Sequence, residues 1–307
     1  MRDAFVKRLN ELAREDESLI FITADLGFGV FDEFSKNFPS QYLNVGVAEQ
    51  NMIGIATGLA LEGRKVFVYS IANFATLRCL EQIRNDAAYH EVNLTVVASG
   101  GGFTYGALGM SHHATEDISI MRSIPNIKVV SPCTAWETYH ATDELFQSNG
   151  VGYLRIEKGG IQLPPNKDSI FELGKAIEMK AGRDITIIAT GGIIVDCLKA
   201  AEKLEKKGVD AQVISMHTIK PLDEYFVKEC AIKNKKIITV EEHNKIGGLG
   251  SAVSEVIAQS NIDCRFKMIA LDDKFSSVVG SQEFLRKYYG LDSEEIFKET
   301  IKLIKDS

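Results

Sequence analysis

Residues Asn44 to Ala60 read "NVGVAEQNMIGIATGLA", a short apolar strand running into a glycine-studded helix, with one carboxylate, Glu49, at the junction. Downstream of the acid, Met52, Ile53, Ala56, Leu59 and Ala60 recur at the helical period and make an apolar face. Gly54 and Gly58 stand one turn apart, where missing side chains let another backbone or helix approach closely. A helix of this composition is expected to be buried on more than one side. Glu49 then has two readings: it complements the positive end of the helix dipole, worth up to about 1 kcal/mol, or it is a working acid.

Working outward, the same alternation of strand and helix fills the chain. Short apolar runs such as "LIFITAD", "KVFVYS", "LTVVAS" and "IKVVSP" alternate with helical patterns, as in βαβ units built on a parallel sheet. Around "EKGGIQLPPNKDSIFELGKAIEMKAG" the rhythm breaks into glycine, paired prolines and mixed polar residues, and it resumes with "DITIIAT". The reading is therefore two consecutive α/β domains, residues 1–172 and 173–307, the second smaller and with a mostly parallel sheet. A length of 307 residues is ample for two such cores.

Composition removes several function classes. The net charge is −7 and the basic residues are dispersed, so the electrostatic footprint of a nucleic-acid binder is missing. Apolar runs stay well short of a membrane span, and the opening "MRDAFVKRLNELAREDESL" reads as a charged amphipathic helix without a signal-peptide core. A cytoplasmic protein is expected. The five cysteines are scattered and form no CxxC pair, which suits reduced thiols filling helices and strands.

Two further segments bear on Glu49. Beyond the strand "KVFVYS", Phe74 enters a helix at the strand's carboxyl end, where open parallel sheets bind ligands. Later, "GGGFTYGALGMSHHATED" is a long polar, glycine-rich stretch holding His112 and His113. Adjacent residues point in different directions, so the pair is not expected to chelate one metal. The stretch is a loop dressing an active site or a plain surface loop.

Order and spacing together resemble the pyrimidine-binding and C-terminal domains of transketolase over essentially the whole chain, with related patterns in 1-deoxyxylulose-5-phosphate synthase and the beta subunits of 2-oxo acid dehydrogenases. The resemblance is carried by "TADLG", "NVGVAEQNMIGIATGLALEG", "YSIANF", "EQIRNDAAY", "GALGMSHHATEDISIMRSIPNIKVVSP", and "KPLD" followed by "VEEHNKIGGLGSAV". It implies that Glu49 shares a proton with a ring nitrogen of the aminopyrimidine of thiamine diphosphate, so that the exocyclic amine can serve as base toward the thiazolium carbon. A carboxyl group desolvated among Ile, Met and Gly suits that task. The resemblance also implies that Phe74 stacks on the pyrimidine, that Asp25 lies near the thiazolium, that His112 and His113 contact substrate oxygens, and that Arg155 contacts a substrate phosphate. An arginine beside Glu157 on a strand equally reads as a surface ion pair.

The chain also departs from the pattern. Leu108 stands where transketolases carry an acidic residue four positions before the histidine matching His112, Leu77 stands where a pyrimidine-stacking aromatic belongs, and a phosphate-binding histidine falls near Gly100. Neither the GDG metal loop that grips the diphosphate nor its asparagine pair is found in this sequence. "GGLGS" in the second domain could bind an anion through backbone amides, yet a bare glycine run is weak support, and the region around Glu242 and His243 reads as structural and oligomerising. The expectation is half a cofactor site, with no metal ligands here: the C-terminal subunit of a split transketolase, moving a two-carbon ketol unit between sugar phosphates. A separate N-terminal transketolase subunit would hold the diphosphate and Mg2+, and this chain would homodimerise within a heterotetramer. The alternatives are another thiamine diphosphate reaction, including ketol transfer between modified sugars, or a non-catalytic partner subunit.

Overall fold

The computed structural model describes residues 1–158 and 169–305. Its strands are β1 (Leu19–Thr23), β2 (Tyr42–Asn44), β3 (Lys65–Ile71), β4 (Leu94–Ser99), β5 (Ile127–Val130), β6 (Val151–Ile156), β7 (Ile177–Lys180), β8 (Ile185–Thr190), β9 (Ala211–Ser215), β10 (Thr218–Lys220), β11 (Lys236–Asn244) and β12 (Arg265–Leu271). They form two sheets, one of order β10-β5-β6-β4-β3-β1-β2 and one of order β12-β11-β8-β9-β7. All neighbours pair in parallel except β10 on β5 and β7 on β9. The chain is thus two consecutive α/β units on mostly parallel sheets.

Strand periodicity explains how the first sheet is covered. In β1, Ile20 and Ile22 face one core together with Met52, Ile53 and Ala56 of the helix Glu49–Leu61, while Leu19 and Phe21 face a second core with Phe5, Leu9 and Leu12 of the N-terminal helix. Both faces are apolar because both carry helices, which is why these strands read as unbroken hydrophobic runs. The second sheet repeats the device: Ile187 faces the helix Ile194–Glu205, and Ile188 faces Val227 and Val253 of the helices Glu224–Asn234 and Leu249–Gln259.

Three features differ from the expectations. The helix Glu49–Leu61 buries one side only: Gly54 and Gly58 are exposed, and a Cβ on either would meet open space. The strand β10 lies beyond the residue 172/173 boundary yet closes the edge of the first sheet, Thr218 opposite Val130. The polar break that suggested the boundary falls partly on residues 159–168, outside the described residues. Among the described residues, no helix is long and apolar enough to cross a membrane, and the five cysteines are free, four of them buried.

Candidate functional site

The carboxyl ends of β4, β3, β1 and β2 lie side by side, and the segments leaving them carry the residues singled out above. Asp25 follows β1, Glu49 follows β2, Phe74 follows β3, and the histidine loop follows β4. A parallel sheet delivers all of its strand ends to one edge, so residues distant in sequence meet there.

Between β2 and Glu49 the chain turns through Gly46 at φ +75°, a conformation that favours glycine, and Asn44 Oδ1 accepts from the Gly46 amide at 3.0 Å. The same Asn44 ties down Asp25, accepting from its amide at 2.9 Å and donating to its Oδ1 at 3.1 Å. Glu49 then begins the helix and is 2 % exposed. Its carboxylate looks away from its own helix: Oε2 accepts from Arg78 Nη1 at 2.8 Å. The dipole-cap reading does not describe this arrangement, because the hydrogen bond goes to another segment.

Arg78 sits on a single 3-10 turn, Leu77–Cys79, set between the short helices Ala72–Thr76 and Leu80–Gln82, and a π-helical turn, Ile83–Ala88, follows. Such irregular helical turns recur at functional sites. The turn brings the Arg78 guanidinium over the Phe74 ring, 4.2 Å from its centroid. On the other side of Phe74 the half-buried His112 packs edge-on, with ring centroids 5.1 Å apart.

The neighbouring histidines diverge, as adjacent loop residues must. His113 is buried and packs edge-on to Phe103 at 5.0 Å, and its Nε2 donates to the Gly106 carbonyl at 3.1 Å. A carbonyl only accepts, so the Nε2–H tautomer is in place and Nδ1 is left as an acceptor, with no partner among the described residues. Asn73, next to Phe74, pins the loop by donating to the carbonyls of Ser111 and His113.

These groups border a cavity of about 270 Å³ whose walls include Asn73, Phe74, Arg78, His113 and Phe275. Leu77 is also on the wall and offers no aromatic ring there. Phe275 and Ser276 come from the second domain, which therefore shapes the cavity as well as supporting the fold; no periodicity or motif around "DKFSSVV" signals this. Asp25 and Leu108 do not border this cavity, and Leu108 is 57 % exposed on the turn Gly106–Leu108.

Arg155 requires a correction on both readings. It is 1 % exposed on β6, so it is neither a surface ion pair nor open to a substrate phosphate. Its Nε donates to Asp117 Oδ2 at 2.8 Å, and its Nη2 donates to the carbonyls of Ala114 and Glu242, each at 3.1 Å. The guanidinium thus joins the histidine loop, the helix Asp117–Ser123 and the second-domain strand β11. The glycine run "GGLGS" is likewise committed: Glu241 accepts from the Leu249 and Gly250 amides at 2.7 and 2.8 Å, filling the helix opening where an anion would bind. Glu242 accepts from the Phe103 amide and from Gln282 and Arg286, binding the two domains together, and burial pushes its carboxyl above the usual range. His243 is buried, with Nδ1 donating to the Asn244 carbonyl at 2.6 Å and Nε2 accepting from the Ser119 amide at 3.3 Å, a satisfied structural histidine.

Comparison with known proteins agrees with this layout. Residues 1–162 match the transketolase pyrimidine-binding domain, and residues 174–296 match the transketolase C-terminal domain. One of the two subunits of an apulose-4-phosphate transketolase from Phocaeicola vulgatus is 37% identical over 306 residues, covering 99% of this chain and 97% of that one. A 6-deoxy-6-sulfo-D-fructose transketolase subunit from Clostridium sp. strain MSTE9 is 35% identical over 300 residues, covering 97% of this chain and 92% of that one. A solved structure described as a split gene transketolase, inactive beta4 tetramer, superimposes with a TM-score of 0.91 at 33% identity, covering 99% of this chain and 98% of that one. With the strand-end site and both domains matched in order, the chain belongs to the transketolase family as a pyrimidine-binding domain followed by a C-terminal domain.

Proposed function

We propose that this chain is the C-terminal subunit of a split transketolase and supplies the pyrimidine half of a thiamine diphosphate site. The observation that carries this reading is Glu49, a carboxylate buried at a helix opening beside the Phe74 ring and a cavity, in a chain that matches the family's two C-terminal domains. The residues present fit the aromatic half of the cofactor: a ring face for stacking, and a buried acid to hold a proton at a ring nitrogen. When bound, the cofactor would supply the carbanion chemistry of two-carbon ketol transfer. Here Phe74 would orient the ring and Glu49 would hold the proton. The free Nδ1 of His113 would accept from a substrate hydroxyl, and His112, beside Phe74, would contact another substrate oxygen. Asp25 would stand toward the thiazolium, and Leu77 would leave the second stacking position without a ring. The diphosphate and Mg2+ would belong to a separate N-terminal subunit, with paired copies of each chain in a cytoplasmic heterotetramer serving pentose phosphate metabolism.

A second reading of the substrate is favoured by Leu108, which offers no polar group where the family reads a sugar hydroxyl. Relatives bearing the names of two modified sugars point the same way. A site without that acceptor discriminates less in favour of an ordinary hydroxyl pattern. One calorimetric and kinetic series tests both readings. Thiamine diphosphate with Mg2+ should bind tightly only when the N-terminal subunit is present, and the assembled enzyme should prefer deoxy, branched or substituted ketose phosphates over xylulose 5-phosphate with ribose 5-phosphate. Tight stoichiometric binding by the chain alone would sink the half-site, and preference for the standard sugars would sink the altered specificity.

A further inference from the structure

Arg78 already makes both contacts that the proposed reading gives to the cofactor's ring. Its flat guanidinium lies over Phe74 with 4.2 Å to the ring centroid, and it donates to Glu49 at 2.8 Å. A guanidinium and a protonated aminopyrimidine share the same chemistry, a planar delocalised cation with in-plane N–H donors. Arg78 also borders the cavity, whereas Glu49, 2 % exposed, is not part of its wall. A ring entering from the cavity therefore meets Arg78 first.

We propose that Arg78 is a built-in occupant of the planar-cation slot between Phe74 and Glu49, displaced when the aminopyrimidine ring arrives. The inference rests on the thiamine diphosphate reading of that slot. The burial of the two partners sets the direction of exchange. The Arg78 side chain is 45 % exposed and passes into water at small cost, while that of Glu49, 2 % exposed, cannot be left without a donor. Exchange of one planar cation for another keeps the carboxylate paired throughout, so a slot that would otherwise hold a bare buried charge is stable before the cofactor binds. The cost falls on affinity: the fraction of molecules with Arg78 in place is closed to the ring, and the apparent dissociation constant rises accordingly.

The test uses thiamine, which carries the aminopyrimidine without the diphosphate, titrated into the full chain and followed by NMR. Arg78→Ala should bind thiamine about fivefold or more tightly than wild type, and Arg78→Lys, which keeps the charge but lacks the flat face, should fall between them. The gain should disappear in the Arg78→Ala, Glu49→Gln double variant, which a general loosening of the site would not predict. Should Arg78→Ala fail to fold, Arg78→Lys carries the test. Unchanged or weaker thiamine binding in a folded variant overturns the proposal, as does a gain that survives Glu49→Gln. A gain in thiamine affinity combined with no ketol transfer by the two-chain complex would keep the proposal and discard the reaction; ketol transfer with no gain would do the reverse.

Discussion

Arg155 and Arg78 each pair with a buried carboxylate in the first domain, Asp117 and Glu49, and the distance is 2.8 Å in both pairs. Their surroundings differ. Asp117 and Arg155 are both buried; Tyr153 also donates to Asp117 at 2.6 Å, and Arg155 reaches two further carbonyls across the domain boundary. Glu49 has a half-exposed partner on an irregular turn at the edge of a cavity. The first pair is a strut whose donors are spent on the protein; the second holds a charge that can be handed to a ligand. Burial of a carboxylate does not distinguish the two, whereas the accessibility of its partner does.

The harshest test of that contrast is Asp117→Ala. It leaves the Arg155 cation buried without its counter-charge and removes an acceptor from Tyr153, so urea denaturation should show a loss of about 3–5 kcal/mol. Wild-type stability for this variant would erase the distinction between strut and site. Glu49→Gln should act in the opposite sense: turnover of the assembled two-chain enzyme falls by at least about a hundredfold, while the unfolding midpoint moves little. Near-normal turnover with intact assembly would remove Glu49 from the chemistry.

Glu137 sharpens the comparison with a third arrangement, a fully buried carboxylate that accepts from the Cys133 amide and is raised by burial to about 7. Because its folded pKa lies above its unfolded value, the native state holds the extra proton. Its contribution is therefore full at low pH and declines as pH rises from about 4.5 to about 7. Glu137→Gln imitates the protonated form at every pH. The stability of wild type relative to this variant should fall by roughly 1–3 kcal/mol across that window, measured by denaturation at stepped pH. A flat difference would mean that Glu137 is ionised in the fold and paired in a way more like Glu49.

Periodicity and local spacing made much of this legible in advance. Continuous apolar strands between helical patterns are what a parallel sheet covered on both faces requires, and the order of its connections placed Glu49, Phe74 and the histidine loop at neighbouring strand ends. Arg78 could not be read this way, since a charged residue on a helical segment usually points to water and nothing local distinguishes one that turns inward. Arg155 was misread for a related reason. The segment "YLRIEKGG" has the polar interruptions of a strand near a surface, yet β6 lies between β5 and β4 with helices on both faces, and the buried cation must find Asp117. Likewise β10 and Phe275 reach the first domain from far along the chain, through packing that no short-range pattern encodes. The sequence by itself determined the two domains, the acid and the ring, because those depend on local period and chain order; which charges are spent and which are available was decided by tertiary structure, because that depends on what each side chain meets across the sheet edge and the domain interface.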